Sequence, residues 1–360
     1  MVENVNGLSL DLIIHPGETI KEIILDRHMT QEELAIRTDY SPKHISEVIS
    51  GKKAISAKFA NALEYALGIP TEFWINLQGL YDKKILELEK INNISEQEYL
   101  VLDQLKEVLN YFNKIKIIDG SSDKSINVLK LRKFFNLNKL TSIPNLPIGQ
   151  VAFRGSKQTR INIYVLYAWQ KLCEYLTSQV EIKNTFNKEI LKTKYEEIKN
   201  TMFLDTNMMV LKLKEIFSEC GIAFEVVKHF TGAPVHGFIK KIDDRVILCM
   251  TIRKSFSDIF WFTLFHEIAH LVNNDFEDKY IDYSFVDSEN EKKADEFARN
   301  ILINKDDFDN FMKNNNINIS SVRSFAKSQN VLPGIVIGRI QNDYKDYSIL
   351  AKYKERYVWV

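Results

Sequence analysis

Cysteine is scarce in this chain: Cys173, Cys220 and Cys249 are the only three, scattered and odd in number. None belongs to a CxxC pair, which argues against a disulfide framework and a zinc ribbon and leaves buried thiols as the expectation. An excess of charge is absent too. The 48 Lys and Arg residues balance 48 Asp and Glu residues, so no global field draws the chain to nucleic acid or a membrane, and any DNA contact must come from a local patch. No run of about 18 apolar residues is available to cross a bilayer. The opening MVENVNGLSLDLIIHPGE lacks the basic n-region and small-residue cleavage site of a signal peptide, so a cytoplasmic protein without membrane association is expected. No internal repeat is visible.

What is present is enough core for two or three domains: 360 residues, 45% of them hydrophobic. Residues 1–82 read as five short helices set off by clear punctuation. Thr30-Gln31-Glu32-Glu33 has the capping-box pattern, Ser41 precedes Pro42, Ser56 precedes AKFANALEYAL with Gly68 after it, and Pro70-Thr71 opens EFWINLQGLYD. Residues 83–205 read as a helical connector with turn-like breaks at Gly120-Ser121-Ser122-Asp123 and around Pro144 and Pro147. From 206 onward the texture changes. A helix ending at Gly221 leads into the short β-branched runs IAFEVVKH, HGFIKKI and RVILCMTIR, then two helices. The expected fold is mainly α with a small β-sheet, with an α+β domain over 206–360. Its core is expected at about 206–310, with a helical extension over 311–360.

Chemistry concentrates in FWFTLFHEIAHLVNN, Phe260 to Asn274. The helix is apolar on nearly every side, so His266, Glu267 and His270 are expected to point inward, and buried ionisable groups cost several kcal/mol unless paired or bound to a metal. Residues four apart share a helix face, so His266 and His270 can present two imidazoles to one ion, with Glu267 beside them. A third ligand is needed. The helix ENEKKADEFARN offers Glu291 and Asp295, four apart, with Ala294, Phe297 and Ala298 placed to dock it. Glu291 is the choice as ligand, with Asp295 accepting the other ring N–H of a histidine. Asp275, Glu277, Asp282, Asp287 and Glu289 are nearer acids in an apparent loop. One zinc ion held this way keeps an open position for water, the catalytic pattern, and Glu267 would take that water's proton for attack on a peptide carbonyl.

WFTLFHEIAHLVNND followed by ENEKKADEFARNILI, with ILCMTIR upstream, resembles the ImmA/IrrE family of zinc metallopeptidases over residues 205–342. The resemblance implies a zincin-like fold, His266, His270 and Glu291 as ligands, Glu267 as catalytic acid/base, and a helix-turn-helix repressor as the protein acted upon. Substrate backbone is expected along a strand edge at Ile247 to Arg253. His236, Arg253 and Tyr280 are candidates for substrate or transition-state contacts.

In TQEELAIRTDYSPKHISEVISGKKAIS, Leu34, Ala35, Ile45 and Val48 fall where two helices would pack, and the second helix can lie in a major groove. Lys43, His44, Ser46, Glu47 and Ser50 are candidates for base edges, and Gln31, Lys52 and Lys53 for phosphate. The stretch resembles an XRE-family helix-turn-helix, and residues 15–82 are similar to the HigA-type antitoxin. Residues 1–82 hold seven Lys/Arg against twelve Asp/Glu, yet Lys43 to Lys58 contains four lysines and one glutamate. Basic character is therefore confined to the recognition edge. A homodimer would double the phosphate contacts, with Phe73, Trp74, Leu77 and Leu80 as its expected apolar face. Two functions follow: a DNA-binding regulator carrying a zinc endopeptidase that cleaves or inactivates a repressor or antitoxin-like partner, or a HigA-like autorepressor whose peptidase-like half binds a partner or senses metal without turnover.

Overall fold

The computed structural model describes residues 13–146, 152–155 as backbone, 161–251, 255–274, 289–314 and 317–357. The chain divides into two compact units, Met1–Tyr99 with Ser121–Lys130 and Leu100–Gly120 with Leu131–Val360.

Local capping sets the helices of the first unit. Thr30, Ser41 and Ser56 sit in extended backbone and accept a bond from the N–H three residues on, each such cap contributing about 1 kcal/mol. The helices are α1 (Pro16–Asp26), α2 (Gln31–Thr38), α3 (Pro42–Ile49), α4 (Ala57–Leu67) and α5 (Thr71–Asn92). Only half of the expected capping box forms at Thr30, because Glu33 turns its carboxylate to Arg37 Nη2 at 2.7 Å. In the tight turn between α2 and α3, Asp39 takes the left-handed conformation (φ 56°), one that Asp tolerates. A Cβ on Gly17 would overlap the Val48 carbonyl and Ile49 Cα. The start of α1 can therefore lie on α3 only with glycine there. Ile20, Leu34, Ile45, Val48, Phe59, Leu63 and Trp74 form the core.

The next helices are α6 (Glu96–Gln104), α7 (Lys106–Lys114) and α8 (Lys124–Phe135), followed by strand β1 (Ala152–Gly155) and helices α9 (Ile163–Ser178), α10 (Lys188–Thr193), α11 (Tyr195–Asn200) and α12 (Thr206–Glu219). Strands β2 (Ile222–Val227), β3 (Val235–Ile242) and β4 (Arg245–Thr251) lead into α13 (Ser257–Asn273) and α14 (Glu289–Leu302). Helices α15 (Lys305–Asn314), α16 (Ile319–Ser328) and α17 (Pro333–Tyr344) follow. The architecture is mainly α with one small sheet, as expected. All three cysteines are free and buried. No helix among the described residues is long and apolar enough to cross a membrane.

The sheet has the order β1-β3-β4-β2, with β2 parallel to β4 and β3 antiparallel to both β4 and β1. β4 is interior. Residues Ile247 to Thr251 therefore cannot offer the expected free edge, and Ile252 and Arg253 lie outside the described residues. A strand covered on both faces reads as a continuous apolar run, which VILCM does. Leu248 and Met250 join the cluster of Trp261, Leu264 and Phe265 from α13, while Cys249 is buried beside Cys173 of α9. The first turn of α13 is clamped by a distant segment. Trp261 Nε1 donates to Tyr357 Oη at 2.6 Å, Lys354 Nζ pairs with Asp258 at 2.6 Å, and Ser257 N donates to the Glu355 carbonyl at 3.1 Å.

Candidate metal centre and nucleic-acid interface

α13 is apolar around its whole circumference, so it is buried rather than amphipathic, with twelve of its 17 residues inside. It ends where Asn274 takes a left-handed C-cap (φ 55°). His266, Glu267 and His270 are 1%, 2% and 1% exposed. On α14, Glu291, Ala294, Asp295 and Ala298 share one face by their i, i+3, i+4, i+7 spacing, and the two alanines are fully buried. Small residues at that contact let α14 lie close enough for its carboxylates to reach the histidines.

Three ligand atoms converge. His266 Nε2 lies 3.0 Å from His270 Nε2 and 3.0 Å from Glu291 Oε2, and His270 Nε2 lies 3.5 Å from Glu291 Oε1. Ligands about 2.0–2.1 Å from a tetrahedral zinc are about 3.4 Å apart. The spacing fits. Among the described residues these three are the one group placed to hold a metal ion.

Proton accounting leads the same way. Asp295 Oδ1 lies 2.8 Å from His266 Nδ1, and an ionised carboxylate only accepts, so Nδ1 carries a proton, and a neutral ring then turns its Nε2 lone pair to the cluster. A proton on His270 Nε2 would serve both contacts of that atom. It would still leave His266 Nε2 facing Glu291 Oε2 at 3.0 Å, lone pair against lone pair. A metal cation between them removes the conflict, as would a second proton on His266.

Glu267 stands beside the ligands, against β3. A Cβ built on Gly237 would lie 2.5 Å from Glu267 Oε1 and 2.7 Å from its Cγ. Gly237 is thus the seat of the carboxylate. Sequence reasoning missed it, although a lone glycine inside a strand run signals close approach. His236, next to it, lines a cavity of about 420 Å³ with Phe262, Thr263, Asp295, Arg299 and Arg339. Arg253 and Tyr280 lie outside the described residues, as do the loop acids Asp275, Glu277, Asp282 and Asp287. Glu289 opens α14 and pairs with Lys293 on the surface.

In the first unit, α2 and α3 pack through Leu34, Ala35, Ile45 and Val48, all buried. Lys43, Ser46, Ser50, Lys52 and Lys53 are exposed, and Gln31, His44 and Glu47 are half-buried. Two of these differ from a freely presented reading edge. The His44 ring packs 4.5 Å from that of Tyr40 and 4.9 Å from that of Phe59, and burial, reinforced by the Lys53 charge, holds its pKa below the usual histidine value. Its charged form is thereby disfavoured, which makes it a poorer phosphate contact than the neighbouring lysines. Ser50 is the α3 C-cap and donates its hydroxyl to the Glu47 carbonyl. Glu47 also draws on the cations, 3.8 Å from Lys43 and 3.9 Å from Lys53. The expected dimer face is corrected in part. Trp74 is fully buried and Leu77 packs on the domain core, leaving Phe73 (43%) and Leu80 (59%) exposed.

Comparison with known proteins assigns both ends. The helix-turn-helix family model matches residues 20–74, and the model of the IrrE N-terminal-like domain matches residues 255–331. Virulence-associated protein I of Dichelobacter nodosus is 33% identical over 78 residues, covering 21% of this chain and 72% of that protein. YddM of Escherichia coli (strain K12), an uncharacterized HTH-type transcriptional regulator, is 28% identical over 86 residues, 24% of this chain and 89% of that protein. A structure of an addiction module antidote protein of a HigA family from Coxiella burnetii is 32% identical, with a TM-score of 0.20, covering 20% of this chain and 80% of that one. Through its N-terminal domain the chain belongs to the helix-turn-helix family, and it carries in the same polypeptide an IrrE N-terminal-like domain that contains the His266, His270 and Glu291 cluster.

Proposed function

We propose that this protein is a cytoplasmic DNA-binding transcriptional regulator carrying a zinc-dependent endopeptidase that cleaves a helix-turn-helix repressor or antitoxin-like partner. The observation that carries the reading is the convergence of His266, His270 and Glu291 at 3.0–3.5 Å, with Glu267 buried alongside. His266, His270 and Glu291 would hold one zinc ion, which supplies a Lewis acid and acidifies a water. Glu267 takes the proton of the attacking water and returns it to the leaving amide nitrogen. Asp295 keeps His266 in the tautomer that presents Nε2. The cavity beside His236 is large enough for a substrate side chain. A metal sensor without turnover needs no base beside its ligands, so the buried Glu267 favours the enzyme over the autorepressor.

Elemental analysis of the purified full chain tests the centre. About one zinc per chain is expected, lost in His266→Ala. Equal metal in both, or none in either after zinc addition, would return α13 to a structural role.

DNA is proposed to meet α3 and the Lys52-Lys53 corner, and pairing of two chains through Phe73 and Leu80 would double the contacts. Lys52 has no carboxylate within salt-bridge distance among the described residues, so its charge is fully available. For Lys52→Ala, DNA binding measured by fluorescence anisotropy across a salt series should weaken on every sequence. The slope of log affinity against log salt should fall by about 0.9. An unchanged slope would remove this corner from the interface.

A further inference from the structure

β3 is the strand that borders the metal centre. Its Gly237 seats Glu267, and its His236 lines the adjoining cavity. One side of β3 is hydrogen-bonded to β4. A peptide delivered to Glu267 in extended form would add to the other side, the usual way an extended segment is taken up by a sheet edge. That side is already taken.

β1 runs there antiparallel, with Ala152 opposite Ile239, Phe153 opposite Phe238 and Gly155 opposite Val235. The register is irregular between Phe153 and Gly155, which brings the Arg154 backbone level with His236 and Gly237. A segment of the connector thus lies where a substrate strand would run, with its irregular step nearest the proposed base. β1 has the marks of a removable strand: four residues, one neighbour, and a broken register in place of continuous pairing. An edge strand that only protects the sheet from aggregation has no reason to be level with Glu267.

We infer that residues 152–155 act as a built-in occupant of the substrate-strand position, so that a protein segment reaches the metal centre only after β1 withdraws from β3. The inference rests on the peptidase reading of the site. It makes the partner an extended segment that pairs antiparallel with β3. The resting chain is then latent, and whatever pulls on the connector on either side of β1 opens the site.

The test uses the full-length chain with Glu267→Gln, so that bound peptide is not consumed. The probe is a labelled synthetic 14-residue peptide copying residues 147–160, followed by fluorescence anisotropy. Ala152→Pro with Phe153→Pro removes two backbone donors from β1 and should tighten peptide binding at least tenfold. Equal affinity with and without the prolines would overturn the inference. Hydrogen exchange on the unaltered chain needs no variant: the β3 amides within 235–239 that face β1 and not β4 should be protected, and rapid exchange of those amides would also overturn it. The proline pair in the zinc-loaded chain with Glu267 intact separates the two readings. Tightened binding with no hydrolysis of the peptide would sink the peptidase reading while leaving β1 as the occupant of the edge.

Discussion

Glu267→Gln should keep one zinc per chain and lose peptide cleavage by about 10²- to 10⁴-fold, the range for removing a positioned general base. The substitution is nearly isosteric, so the packing against Gly237 survives. Zinc should be retained because the proposed ligand atoms are those of His266, His270 and Glu291. What disappears is the group that accepts the water proton. Cleavage of the partner would be followed by gel electrophoresis and mass spectrometry beside a zinc assay. Undiminished cleavage would remove Glu267 from the reaction, and lost zinc would place it among the ligands.

Gly237→Ala is expected to injure the same step from outside the ligand set. The new methyl would lie 2.5 Å from Glu267 Oε1, 2.7 Å from Cγ and 2.9 Å from Cδ. A carboxylate that is 2% exposed has no solvent to swing into, so either it moves or β3 does. A displacement of about 1 Å at a catalytic group costs about 10²-fold in rate. A shift of the strand costs about 1–3 kcal/mol of stability, as overpacking does. Zinc content should not change. Gly79→Ala is the control, since a Cβ there meets nothing within 4 Å. Wild-type kcat/KM and melting temperature in Gly237→Ala would show that Glu267 is not seated on β3.

The convergence of the candidate metal site was legible because its members are local. His266 and His270 are one helical turn apart, as are Glu291 and Asp295, so helix periodicity alone faces each pair, and the buried alanines of α14 set the distance between them. Relations across the sheet were less legible. Neither HGFIKKI nor VILCM alternates, and three consecutive residues of β3, Gly237, Phe238 and Ile239, are buried, so the pattern of neither run marked its place in the sheet order. AFRG, at four residues, carries no periodicity to mark it as β1. In α5 the buried stripe runs through Trp74 and Gln78 rather than the apolar set as a whole. The polar Gln78 hid it, being buried to accept the Ile55 N–H at 2.9 Å. His44 looked like a reading residue because nothing in its own helix reveals that Phe59, from α4, covers its ring.

The clamp on α13 has a consequence in time. Trp261 and Tyr357 are 96 residues apart in the chain, which at ordinary synthesis rates separates their emergence from the ribosome by about 5–20 s. The five helices of the first unit are complete before that interval opens, whereas the helix bearing His266 and His270 waits through it without its anchor. A nascent chain therefore passes through a stage in which the helix-turn-helix is folded and the candidate metal site is not yet held.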